Sequence, residues 1–235
     1  MLGFGFSDKP RQSYSIYQQA DICEALLNKL AVRTCHVVSH DYGDTVAQEL
    51  LARHNEGALG FRLQTLTLLN GGLFPETHRP VLTQKLLLSP LGGLLGRLMT
   101  RDSLAANMRR IFGESTPPEE QDIDDFWQLI CNNNGQRVMH RLIHYMVERQ
   151  QHRERWVGAL QQAKVPLRLI NGLSDPVSGN HMVERYLQLL PGADVVRLDN
   201  VGHYPQVEAP EQVLAAVLAK IAPSDPTASG SRLCS

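Results

Sequence analysis

Along most of the chain, short runs of aliphatic and β-branched residues alternate with longer segments whose apolar positions return every three or four residues. Cys35 to Ser39 reads as a short buried strand, followed by Leu63 to Leu69, Leu167 to Asn171 and Asp194 to Leu198. Between the strands, Tyr14 to Leu30 brings Ile16, Ala20, Cys23, Leu26, Leu27 and Leu30 near one face of a helix. A second helix begins at Tyr42 with Val46, Ala47, Leu50 and Leu51 inward, and two more are expected at Asn180–Leu190 and Glu211–Ile221. Strands alternating with helices predict an α/β fold built on a mostly parallel sheet.

The rhythm breaks between Gly71 and Val157. That stretch lacks a clear strand, carries Pro75, Pro80, Pro90, Pro117 and Pro118, and otherwise reads as helices. A helical insertion between two parallel strands predicts a cap over the carboxyl edge of the sheet. Four regions follow: a partial core over 1–70, the cap over 71–157, the rest of the core over 158–222, and a tail over 223–235. The tail is rich in Ser, Pro and small residues and is expected to be disordered. The first elements are a loop, Leu2 to Arg11, and then a helix, so the fold is expected to lack its opening strands.

Composition narrows the partners more than the fold. Lys plus Arg is 23 and Asp plus Glu is 24, a formal net charge of -1, which lacks the electrostatic footprint of a nucleic-acid binder. A small-molecule substrate is the expected partner. The four cysteines, Cys23, Cys35, Cys131 and Cys234, show no short paired spacing, so neither a zinc ribbon nor a dithiol redox motif is supported. An intracellular setting follows. The most apolar run, Leu82 to Met99, is interrupted by Lys85, Pro90 and Arg97, so no membrane span is expected. No motif asks for a cofactor.

The chemistry concentrates at three strand ends. Ser39-His40-Asp41-Tyr42-Gly43 sits where a strand turns sharply into a helix, with small residues two positions either side of Asp41. That is the layout of the nucleophile elbow, with an aspartate in the nucleophile position. Asp41 could instead merely cap the following helix. Asn171 to Pro176 follows the third strand and supplies Asp175, while Asp199 to Pro205 follows the fourth and supplies His203. Asp41, Asp175 and His203 obey the order nucleophile, acid, histidine, each just past a strand's carboxyl end, where open α/β sheets bind ligands.

These residues, with the loop Leu2 to Pro10, resemble the epoxide hydrolase and haloalkane dehalogenase branch of the α/β hydrolases. Asn70 to Pro80, Ser39 to Asp44, Arg155 to Leu160 and His203 to Gln206 carry the resemblance further, to one vertebrate group; it covers nearly the whole chain except the tail. The resemblance implies the α/β-hydrolase fold and a covalent alkyl-enzyme ester on Asp41, hydrolysed by water that His203 activates while Asp175 orients it. The backbone N–H of Tyr42 is implied as an oxyanion donor, and Tyr145 matches one of two cap tyrosines that bind an epoxide oxygen. Where the second would be expected the chain has Phe74, which weakens the case for epoxide opening. The family's earlier strands and second oxyanion donor would precede Met1, so a shortened form, weakly active and marginally stable, is expected. Longer relatives also carry an apolar segment associated with the endoplasmic reticulum membrane.

Two other readings stay open: a non-catalytic protein of the same fold, and a membrane-associated scaffold, which a contiguous exposed apolar cap surface would favour. The remaining polar signals read as structure. His140 and His144 lack a third ligand for a metal, Gly92, Gly93 and Gly96 read as flexible points, and Arg109-Arg110, Asp124-Asp125 and Arg149 to Arg155 read as solvated helix faces.

Overall fold

A computed structural model describes residues 1–222; the tail expected to be disordered lies outside the described residues. Four strands, β1 (Thr34–His40), β2 (Arg62–Leu69), β3 (Leu167–Gly172) and β4 (Val195–Leu198), form one sheet in sequence order. All three pairings are parallel, with Val38 opposite Thr67, Leu68 opposite Leu169 and Ile170 opposite Val196. Parallel neighbours need crossover connections, and helices make them here. Among the described residues β1 pairs on one side only.

The strand residues divide between two faces, as a period of two dictates. Leu66, Leu68 and Leu169 face the larger core, with Val46, Leu50 and Leu51 of α2 (Tyr42–Glu56), whereas Leu69 and Ile170 face Val213 of the C-terminal helix Pro210–Ile221. Helix α1 (Ile16–Lys29) packs on α2 through Ile16, Ala20, Cys23 and Leu27. Leu26 and Leu30, expected inward, are exposed: Leu26 lies beside the 16-20-23-27 stripe that meets α2, and Leu30 continues that stripe but is the C-cap, past the last turn of the helix.

Between β2 and β3 the chain forms α3 (Leu82–Leu88), α4 (Gly92–Arg97), α5 (Arg101–Ile111), α6 (Glu120–Cys131), a 3-10 turn, α7 (Met139–Leu142), α8 (Tyr145–Gln151) and α9 (Arg153–Gln161). Two readings of this stretch need correction. Gly92 and Gly96 are packing positions, not flexible points: a Cβ at Gly92 would overlap the Leu87 carbonyl, and one at Gly96 would lie 2.7 Å from the Gln136 carbonyl. Arg149 is buried rather than solvated, because its turn of α8 faces the end of β1.

Candidate active site

The site is assembled where β1 turns into α2. Asp41 sits on that turn with φ of 46° and ψ of -106°, a conformation a non-glycine residue adopts only under strain. Its N–H still donates to the Leu69 carbonyl at 3.2 Å, so the sheet holds one side of the turn. The helix-cap alternative is not what the turn does, since Asp41 makes no side-chain cap hydrogen bond. The Tyr42 N–H belongs to the first turn of α2, where backbone donors have no partner within the helix. Space around the elbow is tightest at Gly71, where a Cβ would overlap the Asp44 carboxyl; Gly43 is roomier, its Cβ meeting Ser39 Cβ at an ordinary 3.7 Å.

Asp175 and His203 arrive from the loops after β3 and β4. His203 Nδ1–H donates to Asp175 Oδ2 at 2.8 Å, and Nε2 lies 3.8 Å from Asp41 Oδ2. The histidine thus bonds one carboxylate and faces the other across a gap. Asp175 is buried and accepts further hydrogen bonds from the Val177 N–H (2.8 Å), the Ser178 hydroxyl (2.7 Å) and the Asn70 amide (3.1 Å). Burial alone would raise its pKa; the His203 charge and these donors bring it below the usual carboxylate value. Burial alone would lower the pKa of His203, but Asp175 and then Asp41 push it up to about 10. Both shifts, upward for His203 and downward for Asp175, favour an imidazolium held against a carboxylate.

Three residues to which the sequence assigned no part in the site hold this arrangement. Arg149 is 3% exposed; its Nε donates to Thr45 Oγ1 at 2.7 Å and its Nη2 to the Asp41 carbonyl at 3.2 Å. Its Nη2 is 3.9 Å from Asp41 Oδ1, and its guanidinium stacks 4.4 Å from the Tyr145 ring centre. Burial opposes ionisation of Asp41, yet His203 and Arg149 hold its carboxyl well below the usual range. His40 Nε2–H donates to the His203 carbonyl at 2.7 Å; burial, then the His203 charge, lower its pKa to about 4, so it stays neutral.

The third is Glu208. Its carboxylate accepts from the N–H groups of Gly113 (2.7 Å), Gly202 (2.7 Å) and Tyr204 (2.9 Å) and from the Thr116 hydroxyl (2.6 Å). The histidine loop is thereby tied to the end of α5, where the His203 N–H also meets the Ile111 carbonyl at 2.8 Å.

Asp41 opens onto a cavity of about 200 Å³ lined by Phe4, Tyr42, Gln84, Leu87, Ile143 and Tyr145 among others. An adjoining, mainly apolar cavity of about 330 Å³ shares Phe4, Met139 and Leu142 and extends past Phe126, Leu129 and Tyr204. Burial, and then the negative charge of Asp41, raise the pKa of Tyr145, which keeps its hydroxyl a donor. Phe74 stands elsewhere: it is fully buried beneath the cap and packs 6.2 Å from the Tyr186 ring. Glu148 of α8, the acidic residue next along the chain from His140 and His144, accepts from the Ile16 N–H at 2.9 Å, and no metal-holding cluster occurs among the described residues.

A model of the alpha/beta hydrolase family matches residues 1–217. The mesoderm-specific transcript homolog protein of Bos taurus is 45% identical over 227 residues, covering 92% of this chain and 67% of that protein. The putative hydrolase LipZ of Mycobacterium tuberculosis is 41% identical over 220 residues, covering 92% and 76%. Among solved structures, a haloalkane dehalogenase loop variant from Bradyrhizobium elkanii superposes with a TM-score of 0.74 at 19% identity, covering 93% of this chain and 77% of that one.

Proposed function

The chain belongs to the α/β hydrolase family, and from that premise we propose that it hydrolyses a small electrophilic substrate through an ester on Asp41. The observation that carries this reading is the placement of two carboxylates on either side of one histidine. His203 bonds Asp175 at 2.8 Å and stands 3.8 Å from Asp41, the carboxylate at the strained turn that opens to the cavity.

In the first step an Asp41 oxygen attacks the electrophilic carbon, a C–O ester bond forms, and the bond from that carbon to the leaving atom breaks. For an epoxide, the released alkoxide takes a proton from Tyr145. Esterification also changes His203. Its high pKa depends partly on the Asp41 charge; once that charge is gone the imidazolium gives up its proton, to the Tyr145 phenolate when an epoxide has been opened and to solvent otherwise. Neutral His203 then takes a proton from water, whose oxygen attacks the Asp41 carboxyl carbon, and the Tyr42 N–H donates to the oxyanion. Collapse expels the alcohol, which takes the proton from His203, and the re-formed Asp41 carboxyl passes its own proton to His203, which restores the starting carboxylate and imidazolium. With Phe74 in the core, Tyr145 is the one tyrosine of the proposed pair, so leaving groups that need a single donor suit the cavity.

The test is His203→Gln incubated with a panel of epoxides and alkyl halides, followed by intact-protein and peptide mass spectrometry. A stable adduct on Asp41 is expected, because the ester forms and its hydrolysis stops. A folded variant that forms no adduct with any member, while wild type turns none over, would favour the non-catalytic reading.

A further inference from the structure

The outer surface of the cap carries a feature that the reaction does not use. Leu82 and Leu86 of α3, and Leu91, Leu94 and Leu98 on and around α4, are between 43% and 65% exposed. At about 100° per residue, Leu91, Leu94 and Leu98 fall within about 60° of one another. Gly92 and Gly96 lie on the opposite side of the helix and press against Leu87, Gln136 and His140. Leu82 and Leu86, four residues apart, share one face of α3 in the same way. The leucines are therefore outward by construction of the two helices, not by fraying.

Charge in this segment has one sign. From Thr77 to Arg101, 25 residues contain no Asp or Glu, while Arg79, Lys85 and Arg97 are exposed and make no ion pair among the described residues. Around the helix axes Lys85 and Arg97 lie about 60° from Leu82 and Leu94, flanking the leucines. The patch contains leucine alone and no Tyr, Trp or Phe, unlike the aromatic-rich centres of protein interfaces. Leucines bordered by unpaired cations match a surface with an apolar interior and an anionic boundary. Among the described residues no helix is long and apolar enough to cross a membrane. The inner side of α3 meanwhile supplies Gln84 and Leu87 to the cavity over Asp41.

We infer that the α3–α4 face of the cap docks on an anionic lipid surface, with Leu82, Leu86, Leu91, Leu94 and Leu98 in the acyl boundary and Arg79, Lys85 and Arg97 at the headgroups. This docking does not depend on the proposed chemistry and is tested apart from it.

Co-sedimentation of the chain with phosphatidylcholine vesicles, with and without equimolar phosphatidylserine, reads it directly. Binding is expected to rise about tenfold or more with phosphatidylserine and to weaken at high salt. Leu86→Glu combined with Leu94→Glu should lower partitioning about tenfold or more while the melting transition stays in place. Lys85→Glu with Arg97→Glu should remove the phosphatidylserine preference. If glutamates unfold the cap, Leu86→Ser with Leu94→Ser carries the same expectation. A chain that stays in the supernatant, or leucine variants that pellet like wild type, would overturn the inference. So would a dimer that Leu94→Glu converts to monomer with no vesicle binding, since the face would then belong to a second copy.

Discussion

Replacing Asp44 by asparagine should stabilise the protein, and by an amount that grows with pH. The Asp44 side chain is fully buried beside the elbow, accepts from the Ser39 hydroxyl at 2.6 Å, and leaves Oδ2 without a hydrogen-bond partner. Burial first, and then the neighbouring Asp41 charge, raise its pKa from 3.8 to about 8. In the unfolded chain the same group ionises near its ordinary value of about 3.9. Across the interval between, the folded state keeps a proton that the unfolded state has released. Stability therefore falls as pH rises through that window and levels off above about 8. From 3.8 to about 8, at about 1.4 kcal/mol per pH unit, the loss comes to about 5–6 kcal/mol. That is comparable with the whole stability of a marginal domain, about 5–15 kcal/mol.

Asparagine has the same shape, carries no charge at any pH, and its Oδ1 can still accept from Ser39. Near pH 4 the two proteins should differ by about 1 kcal/mol or less, the usual range for a quiet substitution. By pH 8 the variant should be more stable by about 5 kcal/mol. Urea unfolding of both proteins at several pH values between these limits measures the gap. His203 and His40 titrate in both proteins, so their contributions cancel in the difference. A gap that stays constant from pH 4 to pH 8 would refute the reasoning, because it would mean that Asp44 is ionised in the folded protein.

Arg149→Met should cost about 3 kcal/mol in urea unfolding, the low end for losing one member of a buried charge pair, since Asp41 keeps His203 as a partner. In a His203→Gln background the same change should move the acid limb of adduct formation to higher pH, because Asp41 loses a cation that favours its ionised form. Glu208→Ala should cost about 2–4 kcal/mol, since three backbone N–H groups and a hydroxyl lose a charged acceptor at once. In the Asp44→Asn background, stability should peak near pH 6.5, falling below it because the unfolded chain takes up a proton that buried His40 resists, and declining above it toward pH 10. His203, raised to about 10, holds a proton that the unfolded chain has lost; His203→Gln should flatten that slope in pH-dependent unfolding.

The four strands and the strand-end placement of Asp41, Asp175 and His203 were legible because both rest on local pattern. A buried parallel strand shows as a short apolar run, and a residue just past its end must lie at the carboxyl edge of the sheet. Tyr145 and Phe74 were located in the chain only through resemblance, and the packing divides them: one lines the cavity, the other lies in the core. The exposed Leu26 and Leu30 show the limit of periodicity, which identifies a stripe without saying how wide or how far along it a neighbour covers.

Arg149 and Glu208 were illegible for a different reason. Each meets a backbone group far away in the chain: Arg149 reaches the Asp41 carbonyl across 108 positions, and Glu208 the Gly113 N–H across 95. Backbone groups carry no side-chain signature, so nothing in the residue string marks them as waiting for a charge. Arg149 also stands four residues after Tyr145 on a helix whose neighbours Glu148, Gln150 and Gln151 are polar. One-dimensional polarity therefore assigns the whole turn to solvent. What reverses that assignment is the strained elbow, which turns the Asp41 carbonyl toward the cap, where the Arg149 guanidinium meets it. The sharp turn at Asp41, legible from its own sequence, thus creates the acceptor that buries an arginine no local pattern could place.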